Sequence, residues 1–245
     1  MARVFITGST DGLGLATAET LLREGHEVIV HARSSKRLPA VQHLLDRGAQ
    51  CVIGDLALAE EVRQIADEAN AIGGINAVIH NAGVLNGKAL LPVNVVAPYL
   101  LTALIPGPQR LIYLSSGMHR GGGTGLDGLD WAGRTTTASY STTKLHVTAL
   151  SSALARLMPH VASNAVDPGW VPTRMGGRSA PDSLELGHRT QEWLATSGDP
   201  EARGSGGYWY HQHRQTPHPA ANDPQFQDAL LARLTDHTGV TLDGL

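Results

Sequence analysis

The feature that most constrains this chain is the alternation of short β-branched runs with longer helical patterns through its first half. Residues 2–7 (ARVFIT), 27–31 (EVIVH), 50–54 and 76–80 read as buried strands. Residues 12–24, 36–47 and 58–72 read as the helices between them, the first two ending at Gly25 and Gly48. Strands joined by helices at this spacing make βαβ units, hence a parallel sheet covered on both faces. Right-handed crossovers then close it as a doubly wound α/β fold. The pattern continues less regularly, with a helix over 93–105, a strand over 110–114 and a long Gly- and Thr-rich loop over 117–137. A helix over 140–157, a strand over 161–166, a helix over 184–195, a seventh strand over 207–211 and a helix over 224–234 complete the expectation.

No repeat, charge block or linker divides the 245 residues, so one domain over 1–245 is expected, with 172–205 as a flap on the substrate side. The net charge of −3 argues against a nucleic-acid or anionic-membrane surface, and one cysteine, Cys51, excludes an internal disulfide. No apolar run reaches the length of a membrane helix, and a first strand at residue 2 leaves no room for a signal peptide. A soluble, cytoplasmic protein is the expectation.

The first strand–helix junction reads Thr7-Gly8-Ser9-Thr10-Asp11-Gly12-Leu13-Gly14. Gly8 permits a tight turn, Gly12 lets backbone approach a pyrophosphate, and Gly14 lets helix pack on strand. By itself the spacing also fits a plain tight turn; its place at the first βα junction favours a nucleotide site. The second strand ends His31-Ala32-Arg33-Ser34-Ser35, without the acid that would meet a ribose 2′-hydroxyl. Arg33 and Ser34 suit a 2′-phosphate instead, which makes NADP(H) the expected cofactor.

Tyr140 and Lys144 lie one turn apart at the start of a helix, so they share a face. A nearby ammonium favours phenolate and is expected to lower the tyrosine pKa. Ser116 supplies a hydroxyl for the same substrate oxygen, and Asn94 a place to anchor a water behind the lysine. Lysine is scarce, occurring only at Lys36, Lys88 and Lys144, which sharpens the choice of Lys144.

Taken in order, Thr7–Gly14, Asp55-Leu56, Asn81-Ala82-Gly83, Asn94, Ser116, Tyr140/Lys144 and Pro168-Gly169-Trp170-Val171-Pro172-Thr173 resemble the short-chain dehydrogenase/reductase family, a single-domain branch with Rossmann fold. The long 117–139 loop and the Gly-Tyr-Trp-Tyr ending look most like its retinol-dehydrogenase and bacterial ketoreductase subgroup. The resemblance implies that Asn94, Ser116, Tyr140 and Lys144 form the catalytic tetrad. Gly8, Ser9, Thr10, Asp11, Gly12, Leu13 and Gly14 would hold the pyrophosphate. It implies Asp55 and Leu56 at the adenine, and Asn81, Ala82 and Gly83 at the sheet and adenosine ribose. It further implies Pro168, Gly169, Val171 and Thr173 at the nicotinamide, whose ribose Tyr140 and Lys144 also bind. The implied reaction is reversible reduction of a small apolar or ring-bearing ketone or aldehyde. An oxidative alcohol or steroid dehydrogenase and an idle NADP(H) sensor are the alternatives, the second opposed by the intact Ser116, Tyr140 and Lys144.

Only 13 residues separate Asn81 from Asn94 and 22 separate Asn94 from Ser116, shorter than is usual in the family, with Pro98 and Pro106 limiting the helix between. In many relatives these helices build the dimer interface, so a monomer, or a dimer through another surface such as 207–211, is expected. His80 stands where Asn is more usual and reads as a strand-end variation. His211, His213 and His218 fit no zinc spacing; no metal is expected, and they read as a polar tail. His119 is a candidate substrate contact or a plain loop histidine. Trp131, Trp170 and Trp193 are candidate cleft walls or core residues. Arg174 and Arg178 either read an acidic substrate group or are solvated.

Overall fold

The computed structural model describes residues 1–242. Its strands are β1 (Arg3–Ile6), β2 (Glu27–Ala32), β3 (Gln50–Ile53), β4 (Ala77–His80), β5 (Arg110–Leu114), β6 (Ala162–Asp167), β7 (Tyr208–Tyr210) and β8 (His213–Gln215). They form one sheet in the order β3-β2-β1-β4-β5-β6-β7-β8, parallel except for β8. The helices are α1 (Gly12–Arg23), α2 (Gln42–Leu45), α3 (Ala59–Ile72), α4 (Ala97–Leu104), α5 (Tyr140–Leu157), α6 (Leu184–Thr196) and α7 (Pro224–Thr238).

The strand patterns explain the layers. Alternate side chains point to opposite faces, so Phe5, Ile29, Val78, Leu111 and Tyr113 join one core, while Val4, Ile6, Val28, Val30, Ile79 and Ile112 join the other. Apolar residues of α3, α4, α5 and α7 fill the first core; α1 and α6 pack together over the second. From β1 the chain winds outward through β2 and β3, then crosses back to β4 and winds the other way. That reversal opens a crevice at the carboxyl ends of β1 and β4, where α/β sheets of this type bind ligands. The expected α/β doubly wound, mostly parallel sheet is present, with eight strands rather than seven among the described residues.

The eighth strand escaped the sequence because its residues His213, Arg214 and Gln215 are all exposed and carry no apolar alternation. Its turn is His211-Gln212, with φ of 49° and 63°, a two-residue hairpin lacking the usual Asn-Gly signal. Tertiary contacts hold it: the Gln212 amide donates to Thr190 Oγ1 at 3.0 Å, and His211 stacks on Tyr210 at 3.9 Å. The histidines expected in a polar tail therefore belong to a sheet edge. His218 instead caps the short 3-10 turn Pro219–Asn222, accepting from the Ala220 amide at 3.1 Å.

Three other boundaries moved. The helix expected over 36–47 is a 3-10 turn, Ser35–Ala40, followed by α2, because Pro39 interrupts the hydrogen-bond ladder. The 93–105 helix begins as a π turn, Pro92–Val96, and becomes α4 only at Ala97. The last helix runs on to Thr238, where Gly239 takes a left-handed φ of 67°. Among the described residues no helix is long and apolar enough to cross a membrane.

Candidate active site

The glycine turn lies at the carboxyl end of β1, at the mouth of the crevice. Gly8 and Gly12 have φ of 64° and 53°, a region that other L-residues rarely adopt. A Cβ on Gly14 would stand 2.4 Å from Asn81 Nδ2, and one on Gly12 3.0 Å from Thr173 Cγ2. The turn is thus wedged between the end of β4 and the segment after β6. Asp11 caps α1 by accepting from the Gly12 amide at 2.8 Å, and the following helix start leaves amides without intrahelical acceptors.

Several sequence candidates here are braces. Ser9 is wholly buried; its Oγ donates to Ile6 O at 2.9 Å and accepts the His31 amide at 2.7 Å, so its hydroxyl points into the fold. Asn81 Nδ2 donates to Thr7 O at 2.8 Å, and Thr7 Oγ1 accepts the Ala82 amide at 3.0 Å, tying β4 to the turn. Leu56 is core, while Asp55 Oδ1 accepts the Ala57 amide at 3.0 Å.

Two residues of this corner were missed. Buried His31 accepts the Gly8 amide at Nδ1 (3.0 Å) and pairs with Gly54 O through Nε2 (2.8 Å). Those partners require the neutral Nε2–H form, and burial lowers its pKa in agreement. Arg37 Nε donates to Thr10 Oγ1 at 3.3 Å and its Nη2 lies 3.6 Å from Asp11 Oδ2. It therefore offsets the one carboxylate of the turn, on the side where Arg33 is exposed and Ser34 half-buried. The signal was present as a second arginine four residues after Arg33, hidden inside an expected helix.

The second cluster forms where β4, β5 and α5 meet. Ser139 Oγ caps α5, accepting the Thr142 amide at 3.1 Å, and so sets Tyr140 at the first turn. The Ser116 hydroxyl lies close enough to the Tyr140 phenol to act on its titration. Lys144 is almost wholly buried; its Nζ donates to Leu114 O at 2.7 Å and lies 5.5 Å from the Tyr140 ring centroid. Gly83 completes the group, for a Cβ there would sit 3.5 Å from both Lys144 Nζ and Asn94 Oδ1.

Asn94, inside the π turn, spends its side chain on protein. Oδ1 accepts the Val84 amide at 2.8 Å, and Nδ2 donates to Val84 O at 3.0 Å and to Thr143 Oγ1 at 2.9 Å. Its amide is a brace between the β4 end and α5.

The electrostatics correct one expectation. Burial, opposed by the hydrogen bond with Ser116, pushes the Tyr140 phenol up to about 12 instead of down. Burial also pulls the Lys144 ammonium down to about 8, with the Asp167 carboxylate holding it from falling further. The phenol therefore carries its proton at neutral pH.

Past β6 the chain turns at Gly169, whose φ of 82° and lack of Cβ admit the Asp182 carboxylate. Pro168 is half-buried, Val171 is buried against Gly187, and Thr173 packs on Gly12. Arg174 and Arg178 border a crevice of about 670 Å³ shared with Asp11, Gly12 and Leu15. They face the glycine turn, not the Ser116–Tyr140 cluster.

The remaining candidates scatter. His119 is fully buried: Nδ1 pairs with Ser116 O at 2.8 Å and Nε2 accepts the His218 amide at 2.9 Å, so it clips a loop and touches no open space. Trp131 packs beside His146 in the core, and Trp193 stands edge-on to Trp209 at 5.1 Å. Of the three candidate tryptophans only Trp170 is exposed, its Nε1 donating to Gly176 O at 2.8 Å. His80 is buried, stacked on Tyr113 at 4.5 Å, and burial alone takes its pKa to about 3.

Residues 2–100 match the family model of the short chain dehydrogenases. The chain is 38% identical over 257 residues to the short-chain dehydrogenase chry4 of Gibberella zeae, covering 99% of each. The crystal structure of a putative uncharacterized protein from Mycobacterium Paratuberculosis superposes with a TM-score of 0.80 at 24% identity, covering 99% of this chain and 95% of that one. A short-chain dehydrogenase from Shigella flexneri complexed with NADP gives a TM-score of 0.68 at 22% identity, covering 86% and 97%.

Proposed function

The chain belongs to the short-chain dehydrogenase family of oxidoreductases, and from that premise we propose that it reduces a ketone or aldehyde to the alcohol with NADP(H), Tyr140 giving the proton. One observation carries the reading: the half-buried Tyr140 phenol stands near Ser116 with its ring centroid 5.5 Å from Lys144 Nζ, at the crevice beside the glycine turn.

The donor set fits a dinucleotide with a 2′-phosphate. Backbone of residues 8–14 and the start of α1 would hold the pyrophosphate, with Arg174 and Arg178 facing it from the 172–205 flap. Arg33, Ser34 and Arg37 would take the 2′-phosphate, at a strand end lacking the acid that would repel it. Asp55 would flank the adenine, and Asn81, Ala82 and Gly83 the adenosine ribose. Pro168, Gly169, Val171 and Thr173 would border the nicotinamide. The NADP complex of a protein sharing this fold supports the same choice. When bound, NADPH supplies the hydride.

The chain's own residues supply the rest. Ser116 orients the substrate oxygen by hydrogen bonding. Tyr140 donates its proton to that oxygen as charge develops. Lys144 holds a cation against the resulting phenolate and binds the nicotinamide ribose, while Asn94 and Thr143 hold the start of α5 in register. The phenol, raised to about 12, rests in the protonated form that donation uses, and the net direction follows from the substrate and cofactor ratios.

The test is consumption of NADPH absorbance against a panel of ring-bearing ketones. Tyr140→Phe keeps the ring and removes the proton, so turnover is expected to fall at least about a hundredfold, with a far smaller change in NADPH affinity. Near-normal turnover in that variant would refute the scheme.

A further inference from the structure

Asp167 ends β6 beside the Ser116–Gly117 stretch that follows β5, and the proton-transfer scheme makes no use of it. Its Oδ1 accepts the Gly169 amide at 3.0 Å. Its Oδ2 reaches across to Gly117, where a Cβ would stand 3.0 Å away. Any side chain at 117 would therefore press on the carboxylate, and the glycine leaves it room immediately next to Ser116. The same carboxylate acts on Tyr140, Lys144, His119 and Tyr208, groups carried by α5, by the turn after β5 and by β7.

Two further facts set this corner apart from ordinary surface. Tyr208 is only 2% exposed, yet its hydroxyl closes no well-formed hydrogen bond, although Asp167 and Arg120 both act on it. Asp167 also works against the phenolate, since it raises the Tyr140 pKa. This half-buried carboxylate places one oxygen against Gly117, the residue after Ser116, and within electrostatic reach of Tyr140.

We propose that Asp167 determines specificity: its Oδ2 accepts a hydrogen bond from an N–H or O–H donor that the substrate carries next to its carbonyl. The substrate class is then ketones or aldehydes with an adjacent hydroxyl, amine or amide. They are neutral, because the carboxylate already faces the charge of the Lys144 ammonium. This rests on the reaction proposed above. A site built to accept a donor rejects the analogue lacking it far more strongly than a hydrophobic pocket rejects a missing methylene.

Matched ketones test it. 2-Hydroxyacetophenone and 2-methoxyacetophenone present the same ring and carbonyl and differ in the donor. The natural protein is expected to favour the hydroxy ketone by at least about tenfold in kcat/KM. Asp167→Asn keeps an acceptor for the Gly169 amide but turns an NH2 toward the substrate, so that ratio should collapse to within about threefold. Gly117→Ala makes the carboxylate give by a few tenths of an ångström and should lower the ratio at least about twofold, which covers the case in which Asp167→Asn folds poorly. A ratio near one in the natural protein, or one that survives both substitutions, overturns the proposal.

A second arm needs no turnover. Binding of benzamide and of methyl benzoate, neither of which serves as a ketone substrate, is compared by ligand-observed NMR in the NADPH complex and in the protein alone. Preference for benzamide that is lost in Asp167→Asn supports the subsite even if no ketone is reduced, in which event only the reaction falls. Equal binding of the two overturns the subsite even if ketones are reduced.

Discussion

Replacing Lys144 by methionine is predicted to stabilise the fold at pH 7 and destabilise it at pH 10. Lys144 is 4% exposed, and burial lowers its ammonium from the usual 10.5 to about 8. Below pH 8 the side chain is charged in both the folded and unfolded chain, and the full cost of burying that charge falls on the fold. At about 1.4 kcal/mol per pKa unit, that cost is on the order of 3 kcal/mol. Between pH 8 and 10.5 the folded chain binds fewer protons than the unfolded one, so stability of the natural protein rises with pH in that window. By pH 10 less than about 1 kcal/mol of the cost remains. Methionine titrates nowhere, matches the stem in length and removes the charge. It also deprives Leu114 O of its 2.7 Å donor, a loss of about 1–2 kcal/mol at any pH. The net is a gain of about 1–2 kcal/mol at pH 7, or on the order of 2–6 °C in Tm for a chain of this size, and a loss of about 1 kcal/mol at pH 10. Urea unfolding of both proteins without cofactor, at half-unit steps from pH 7 to 10, reads the difference directly. A stability difference that stays flat across this window would show that the buried ammonium is not what limits the fold.

The remaining predictions concern the cofactor and the assembly. Arg33→Asp is expected to invert or abolish a preference for NADPH over NADH, measured by fluorescence titration; equal affinities in the natural protein would refute the 2′-phosphate assignment. Replacing both Arg174 and Arg178 by alanine should weaken NADPH and NADH by the same factor, about tenfold, while adenosine 2′,5′-bisphosphate, which lacks the pyrophosphate, binds as before. Light scattering over a dilution series is expected to give a monomer. The α5 helix is buried on nearly all sides, α7 and the Pro219–Asn222 turn lie against it, and Tyr99 of α4 donates to Val240 O at 2.6 Å. A tetramer centred on α4 and α5, persisting at low concentration, would refute this.

What the sequence determined by itself was whatever depends on local pattern. Alternating β-branched and helical runs dictated the doubly wound sheet, because period and length select strand and helix before any long-range contact exists. The glycine turn, Ser116 and the Tyr140/Lys144 pair were legible for a similar reason: each sits at a strand end or one helical turn from its partner, so spacing alone implies geometry. The tertiary structure decided everything that depends on what surrounds a group. Burial, invisible in the spacing of Tyr140 and Lys144, reversed the direction of the tyrosine pKa. Asn94 and Ser9 proved to be braces because their side chains face elements 10 to 49 residues away. His31 and Arg37 support the glycine turn from across the β1–β2 crossover. Strand β8 exists through its hairpin contacts and not through its own exposed residues. Asp167 meets Gly117, 50 positions earlier in the chain, only because parallel strands bring the ends of β5 and β6 side by side. Sequence carries the periodicities that choose elements; desolvation and side-chain pairing between distant segments are set only when the sheet brings those segments together.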